Sequence, residues 1–136
     1  MKSVAIVALL AAGLLCATAA TAADTPQTLQ AAYAAQAGAG FAASAERGRT
    51  LFTKRHGVNA DFPACTQCHS NDPSAAGKHA ITGKLIEPMA VRANPQRFTD
   101  AAKSEKWFRR NCREVVGREC TAGEKADVIA YLRAGA

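Results

Sequence analysis

The chain opens on an apolar run from Val4 to Ala17 behind one cation, Lys2, followed by small residues from Ala17 to Ala23. This layout predicts a secretory signal peptide over residues 1–23, cleaved between Ala22 and Asp24. The run is too short and too poorly flanked for a stable membrane span. Leu15 before Cys16 argues against lipid attachment there. Past residue 23 the apolar positions thin out and recur at helical spacing. Leu29 and Tyr33, four apart in an alanine-rich stretch, predict a helix over 25–37 with a narrow apolar stripe. Gly38-Ala39-Gly40 breaks it. A second helix over 43–55 places Gly48, Leu51 and Phe52 on one face, with Arg47, Arg49, Lys54 and Arg55 on the others. Gly57, Asn59, Asp61 and Pro63 mark a loop, and Cys65 to Ser70 fit a short third helix. Residues 71–98, punctuated by Pro73, Gly77, Gly83, Pro88 and Pro95, are expected to be irregular. Thr99 or Asp100 can cap a helix reaching about Val116, with Trp107, Phe108 and Cys112 on its buried side. Thr121-Ala122-Gly123-Glu124 is a capping box that opens a last helix to about Ala134. No segment alternates with period two, so the expected fold class is all-α. Residues 24–40 are expected to form a helix and linker ahead of a domain over 41–136.

Composition sharpens this picture. Of the 113 residues after Ala23, only 21 are Val, Ile, Leu, Met, Phe, Trp or Tyr. So thin a core calls for a disulfide, a metal or a cofactor to complete it. Losing the signal would remove Lys2 and Cys16, taking the net charge from +6 to +5 and the five cysteines to four. Export implies an oxidising compartment, here the periplasm, where disulfides persist. The length allows one small domain and excludes a two-domain enzyme. Charges of both signs exclude a disordered basic tail, and export argues against nucleic acid as a partner.

Cys65-Thr66-Gln67-Cys68-His69 is a C-x-x-C-H motif. Residues three apart on a helix share a face, so both thiols can add to the vinyl groups of one haem while the adjacent imidazole ligates its iron. One covalent haem c is the expected cofactor. A thioredoxin-type C-x-x-C belongs in a βαβ setting, which is missing. A zinc site of Cys65, Cys68, Cys112 and Cys120 has loose spacing in its second pair and would tend to oxidise outside the cytoplasm. Otherwise Cys112 and Cys120 are free to close a disulfide loop, with a stabilisation of about 2–3 kcal/mol. The sixth iron ligand stays open on the residues alone. Met89 suits an electron carrier, since a thioether raises the potential. His79, Lys84 and Asn111 are the other candidates, as is a vacant position. Asn111 fits the chain path best, 42 residues past His69, although asparagine is an unusual ligand and can also cap a helix end.

Three runs carry a resemblance: Asn94-Pro95-Gln96-Arg97-Phe98-Thr99-Asp100, Glu105-Lys106-Trp107-Phe108-Arg109-Arg110-Asn111-Cys112, and Gly117-Arg118-Glu119-Cys120-Thr121. From Phe41 to Leu132 the chain resembles the sphaeroides haem protein family, small periplasmic cytochromes c with a domain formerly of unknown function. The resemblance implies histidine and asparagine axial ligands, which map to His69 and Asn111. It implies a disulfide beside the asparagine, which Cys112 and Cys120 would supply. It implies a class I cytochrome c-like fold, in which Gly48 and Phe52 cross the helix holding Val128 to Leu132. It also implies that the asparagine leaves on reduction, so that small diatomic ligands such as oxygen or nitric oxide can bind. An amide oxygen is a hard, neutral donor that suits ferric better than ferrous iron. Trp107, one turn before Asn111, is then a distal-pocket candidate, though core packing is its ordinary role. The implied partners are redox proteins, a dihaem cytochrome c and a membrane cytochrome b.

Lys103, Lys106, Arg110 and Arg113 recur at helical spacing. They form either a solvated face or a basic surface that steers an acidic redox partner. Two rival functions stand beside the ligand-binding electron carrier. One is a plain low-spin shuttle with Met89 as sixth ligand. The other is a small haem oxidoreductase acting on oxygen, peroxide or nitric oxide, for which Arg110 and His79 are the candidate distal groups.

Overall fold

The computed structural model describes residues 23–135, so Cys16 and, but for Ala23, the expected signal peptide lie outside the described residues. Each long helix begins where a side chain takes up backbone N–H groups left free by the first turn. Helix α1 (Pro26–Ala37) follows Thr25, whose hydroxyl accepts from Thr28 N at 3.1 Å while Thr28 Oγ1 accepts from Thr25 N at 2.8 Å. Pro26 opens the helix where its missing N–H costs nothing. Helix α2 (Ala45–Thr53) is capped by Ser44. Helix α3 (Thr66–His69) is a single turn. Helix α4 (Ala101–Val115) is capped by Asp100, which accepts from Lys103 N at 2.8 Å. Helix α5 (Ala122–Arg133) opens on the reciprocal Thr121–Glu124 box.

The fold is all-α apart from one feature absent from the sequence expectation. Strands β1 (Gly77–Lys78) and β2 (Leu85–Ile86) form a two-residue antiparallel ladder, pairing Gly77 with Ile86 and Lys78 with Leu85. Two residues are too few to show a period of two. The ladder lies against α3 because residue 77 has no side chain: a Cβ there would come within 2.0 Å of Cys68 O.

Helix α5 is the spine of the core. Its Ile129 and Leu132 are fully buried, and α1 and α2 both pack on it. Leu29 and Tyr33 of α1, Phe52 of α2, and Ala126, Val128 and Tyr131 of α5 belong to one apolar cluster. Thus α1 joins the same core as the rest of the chain. The α2–α5 crossing depends on Gly48, whose Cβ, if present, would lie 2.0 Å from Asp127 O. At the same crossing the buried Asp127 carboxylate accepts from Ser44 N at 2.7 Å, Arg47 Nε at 2.7 Å and Arg47 Nη2 at 2.9 Å. A second polar knot ties α1, α4 and α5. Glu105 accepts from Tyr33 Oη at 2.8 Å and from the buried Lys125 Nζ at 2.8 Å. Burial and the Glu105 carboxylate both push the Tyr33 phenol well above its ordinary value.

Candidate functional site

Helices α3 and α4 and the segment from β2 to Asp100 wall a cavity of about 950 Å³. Phe52, Phe62, Leu85, Ile86, Phe98 and Phe108 line it, and it is therefore largely apolar. Cys65, which precedes α3, and Cys68 and His69 of α3 all reach its surface, and neither cysteine is in a disulfide. The geometry follows from the short helix, in which His69 N donates to Cys65 O at 3.0 Å. The Cys68 Sγ accepts from Ala80 N at 3.3 Å. Burial pushes the Cys65 thiol up to about 11, so it is protonated.

His69 is held neutral. Burial and the charge of Arg97 bring it down to about 4. Its Nδ1 is buried without a hydrogen-bond partner among the described residues, and its ring lies 6.0 Å from that of Phe52. The absence of a partner for so buried a nitrogen is typical of a site completed by a bound group.

Helix α4 supplies a stripe from the other side. Ser104, Trp107, Phe108, Asn111 and Val115 all line the cavity at spacings of three and four. Trp107 was expected on the buried side of this helix; it is 43% exposed and walls the cavity. Amphipathic spacing identifies the face but not whether protein or open volume lies beyond it. Phe108 does pack inward, edge-on to Tyr33 at 5.9 Å and stacked near Phe98 at 6.2 Å. The Asn111 carboxamide has no hydrogen bond to any described residue. Next to it Cys112 is disulfide-bonded to Cys120, with Cα atoms 5.6 Å apart. That bond removes the four-cysteine zinc alternative.

The other sixth-ligand candidates, Met89, His79 and Lys84, line the same cavity. Met89 is tethered by its backbone to Pro73 O at 2.9 Å and packs against the core. His79 Nδ1 accepts from Ile81 N and Thr82 N at 3.3 Å, and its ring meets Phe62 edge-on at 5.5 Å. Sequence reasoning gave no role to Phe62, Leu85, Arg97 or Phe98. For Arg97 and Phe98 a local signal existed. Asn94 next to Pro95 favours a turn, and Gln96 N donates to Asn94 Oδ1 at 3.2 Å.

An all-α chain that brings two free thiols, an adjacent neutral imidazole and an unpartnered amide to one large apolar cavity has the frame of a c-type cytochrome. The residues present suit a covalent haem: attachment thiols, a nitrogen donor and space. Over residues 38–132 the chain matches the family described as Domain of unknown function (DUF1924), and it belongs to that family. It is 53% identical over 100 residues to the cytochrome c-type protein SHP of Cereibacter sphaeroides, covering 73% of this chain and 77% of that one. It is 40% identical over 92 residues to cytochrome c'' of Methylophilus methylotrophus, covering 67% of this chain and 64% of the relative. The solved structure of oxidized SHP, described as an oxygen-binding cytochrome c, superposes with a TM-score of 0.76 at 50% identity, over 83% of this chain and 99% of that one. Oxidized cytochrome c'' superposes with a TM-score of 0.69 at 35% identity, over 79% and 91%. The solution structure of cytochrome c'', presented for its insights into haem-ligand detachment, gives 0.63 at 35%, over 79% and 90%. The chain is thus a c-type haem cytochrome, and its cofactor is covalently bound haem c.

Proposed function

We propose that this chain is an exported, periplasmic monohaem electron-transfer protein with a labile axial ligand. In this reading Cys65 and Cys68 form the thioethers, His69 is the fixed ligand, and Asn111 is the ligand that leaves on reduction. The haem supplies one-electron redox chemistry and, where an axial position is vacated, an iron open to oxygen or nitric oxide. The observation that carries the reading is the Asn111 carboxamide, which lines the cavity shared with His69 and has no hydrogen-bond partner among the described residues. As a hard neutral donor it favours the ferric state. The Cys112–Cys120 bridge anchors the adjoining backbone, so the exchange requires only side-chain movement. Trp107, one turn away, walls the space into which an incoming ligand would move. The oxygen binding described for one relative and the ligand detachment described for another support extending these properties to this chain.

Absorption spectra of the ferric and ferrous protein, with and without carbon monoxide and nitric oxide, test the proposal. A ferrous spectrum that changes on adding carbon monoxide is expected, together with a ferric spectrum altered by Asn111→Ala. A sharp low-spin ferrous spectrum indifferent to carbon monoxide would sink it. Met89 ligation is the second reading, favoured by its place on the same cavity and its tethered backbone; there Met89→Ala, and not Asn111→Ala, changes the ferric spectrum.

On the cavity rim Lys84, Lys103 and Arg110 are exposed. They fit an acidic redox partner, in this reading a dihaem cytochrome c or a membrane cytochrome b. Electron-transfer rates are expected to fall as salt rises, and rates indifferent to salt would count against it. Part of this positive charge is offset, since Arg110 of the rim pairs with Glu114 and, further along α4, Arg113 pairs with Glu119.

A further inference from the structure

We infer that Arg97 is the internal counter-ion for a carboxylate of the cofactor, neutralising one of the two propionates of the haem from inside the cavity. The inference rests on the haem assignment of the site. Arg97 is half-buried and lines the cavity. Its Nε donates to Pro88 O at 2.8 Å and its Nη2 to Glu87 O at 2.5 Å. Both acceptors are neutral carbonyls, which orient the guanidinium without cancelling its charge. No ion pair to a carboxylate engages Arg97 among the described residues. Burial lowers its proton affinity, and the charge of Glu87 only partly restores it. The other cations on the lining, Lys84, Lys103 and Arg110, are exposed and solvated. Arg97 is thus the one cation among these four that is partly withdrawn from water, and its Nη1 makes no hydrogen bond to any described residue. A planar fork of this kind matches a carboxylate.

Backbone geometry supports the same conclusion independently. Among the described residues only two non-glycine residues have positive φ, Ser70 at 68° and Phe98 at 62°. Each directly follows a charged or ligating cavity residue, His69 and Arg97 respectively. Such a conformation is uncommon for a bulky side chain and persists where its surroundings require it. At Phe98 the reversal sends the phenyl ring toward Phe108 and leaves Arg97 on the cavity wall. The turn is held by Arg97 N donating to Asn94 O at 3.0 Å and Thr99 Oγ1 donating to Gln96 O at 3.0 Å. A scaffold this closely specified, ending in an unpaired cation, is suited to presenting that cation to an anion.

The test uses the haem-loaded protein with Arg97→Gln and Arg97→Lys, read by midpoint potential and by the propionate bending band in resonance Raman spectra. Removing the positive charge favours the oxidised form. Arg97→Gln is expected to shift the redox equilibrium about tenfold toward it, about 59 mV for one electron. The band should also move to lower frequency. Arg97→Lys retains the charge and should recover most of the potential while the band stays displaced, since an ammonium lacks the fork. A purely structural role, fastening Glu87 and Pro88, leaves the band in place. An unmoved band and potential in both variants, with haem retained, overturns the inference and leaves the haem assignment standing. A wild-type protein without covalent haem overturns both. If Arg97→Gln does not mature, a crystal structure of the wild-type holoprotein decides. A propionate oxygen within about 3.2 Å of the guanidinium is expected, and two propionates both beyond about 4 Å of it refute the assignment.

Discussion

Replacing Gly48 by alanine sets two effects of opposite sign against each other. Helix propensity alone favours alanine by about 1 kcal/mol in a helix interior. The contact opposes it, because the new Cβ would meet Asp127 O at 2.0 Å, Asp127 C at 2.4 Å and Val128 N at 2.9 Å. These are backbone atoms of α5 and cannot rotate away. Ordinary contact begins near 3.4 Å, so α2 and α5 must part by about 1.4 Å. The same movement strains the bonds from Ser44 and Arg47 to the Asp127 carboxylate. Overpacking of this kind costs about 1–3 kcal/mol, and a clash with backbone belongs at the upper end. The net loss is therefore about 2 kcal/mol, or roughly 8 °C in Tm for a domain of this size. Thermal unfolding of the haem-loaded protein, followed by far-ultraviolet circular dichroism, measures it. Thr50→Ala on the exposed face of α2 serves as control and should stay within about 0.5 kcal/mol of wild type. Helix α2 also carries Phe52, which packs beside His69, so the visible spectrum should broaden in Gly48→Ala. A Tm equal to or above that of wild type would mean that propensity outweighs the contact, and the account of the crossing would be wrong.

Burial acts to raise the Glu105 pKa, but the hydrogen bonds from Lys125 and Tyr33, with the charges of Lys125 and Arg109, leave it below the ordinary carboxylate value. A depressed carboxylate contributes stability above its unfolded pKa and loses it as pH falls through the folded one. Glu105→Gln should thus cost about 1–2 kcal/mol at pH 7, a modest figure because water screens a side chain that is 38% exposed. The gap from wild type should close below about pH 4, and a gap that widens in acid contradicts the assignment. The double variant Cys112→Ser, Cys120→Ser should lower stability by about 2–3 kcal/mol, seen as an earlier denaturant midpoint; an unchanged midpoint would show that the bridge constrains nothing. Cys65→Ala with Cys68→Ala should abolish haem staining on a denaturing gel, whereas either single change should leave one thioether, and staining that survives the double change would place the attachment elsewhere.

The helix starts were the most legible part of the fold because a cap is a local event. Asp100 and the Thr121–Glu124 box stand where their side-chain chemistry predicts them. The attachment motif was equally local, its residues adjacent on one helical turn. The closed wall opposite it was not legible. Trp107 satisfies an amphipathic pattern whether it meets protein or a cavity, and only the fold distinguishes the two. Asn94-Pro95 announces a turn, but no glycine marks the left-handed residue at Phe98, so the exact placement of Arg97 depended on tertiary packing. Likewise, the two apolar residues of α1 gave a weak stripe, and its membership of the core follows from α5 offering it a partner.

The position of α5 also bears on the order in which the molecule is assembled. It is the last element of the described chain, yet α1 and α2, with Leu29, Tyr33 and Phe52, both pack on it. A chain emerging from its N-terminal end therefore presents Cys65, Cys68 and His69 well before any interior exists behind them. Enzymes that form the thioethers would meet open polypeptide rather than a finished pocket. The core then closes around a cofactor already joined to the chain, and a delay in attachment leaves the pocket of about 950 Å³ between α3 and α4 without the group that fills it.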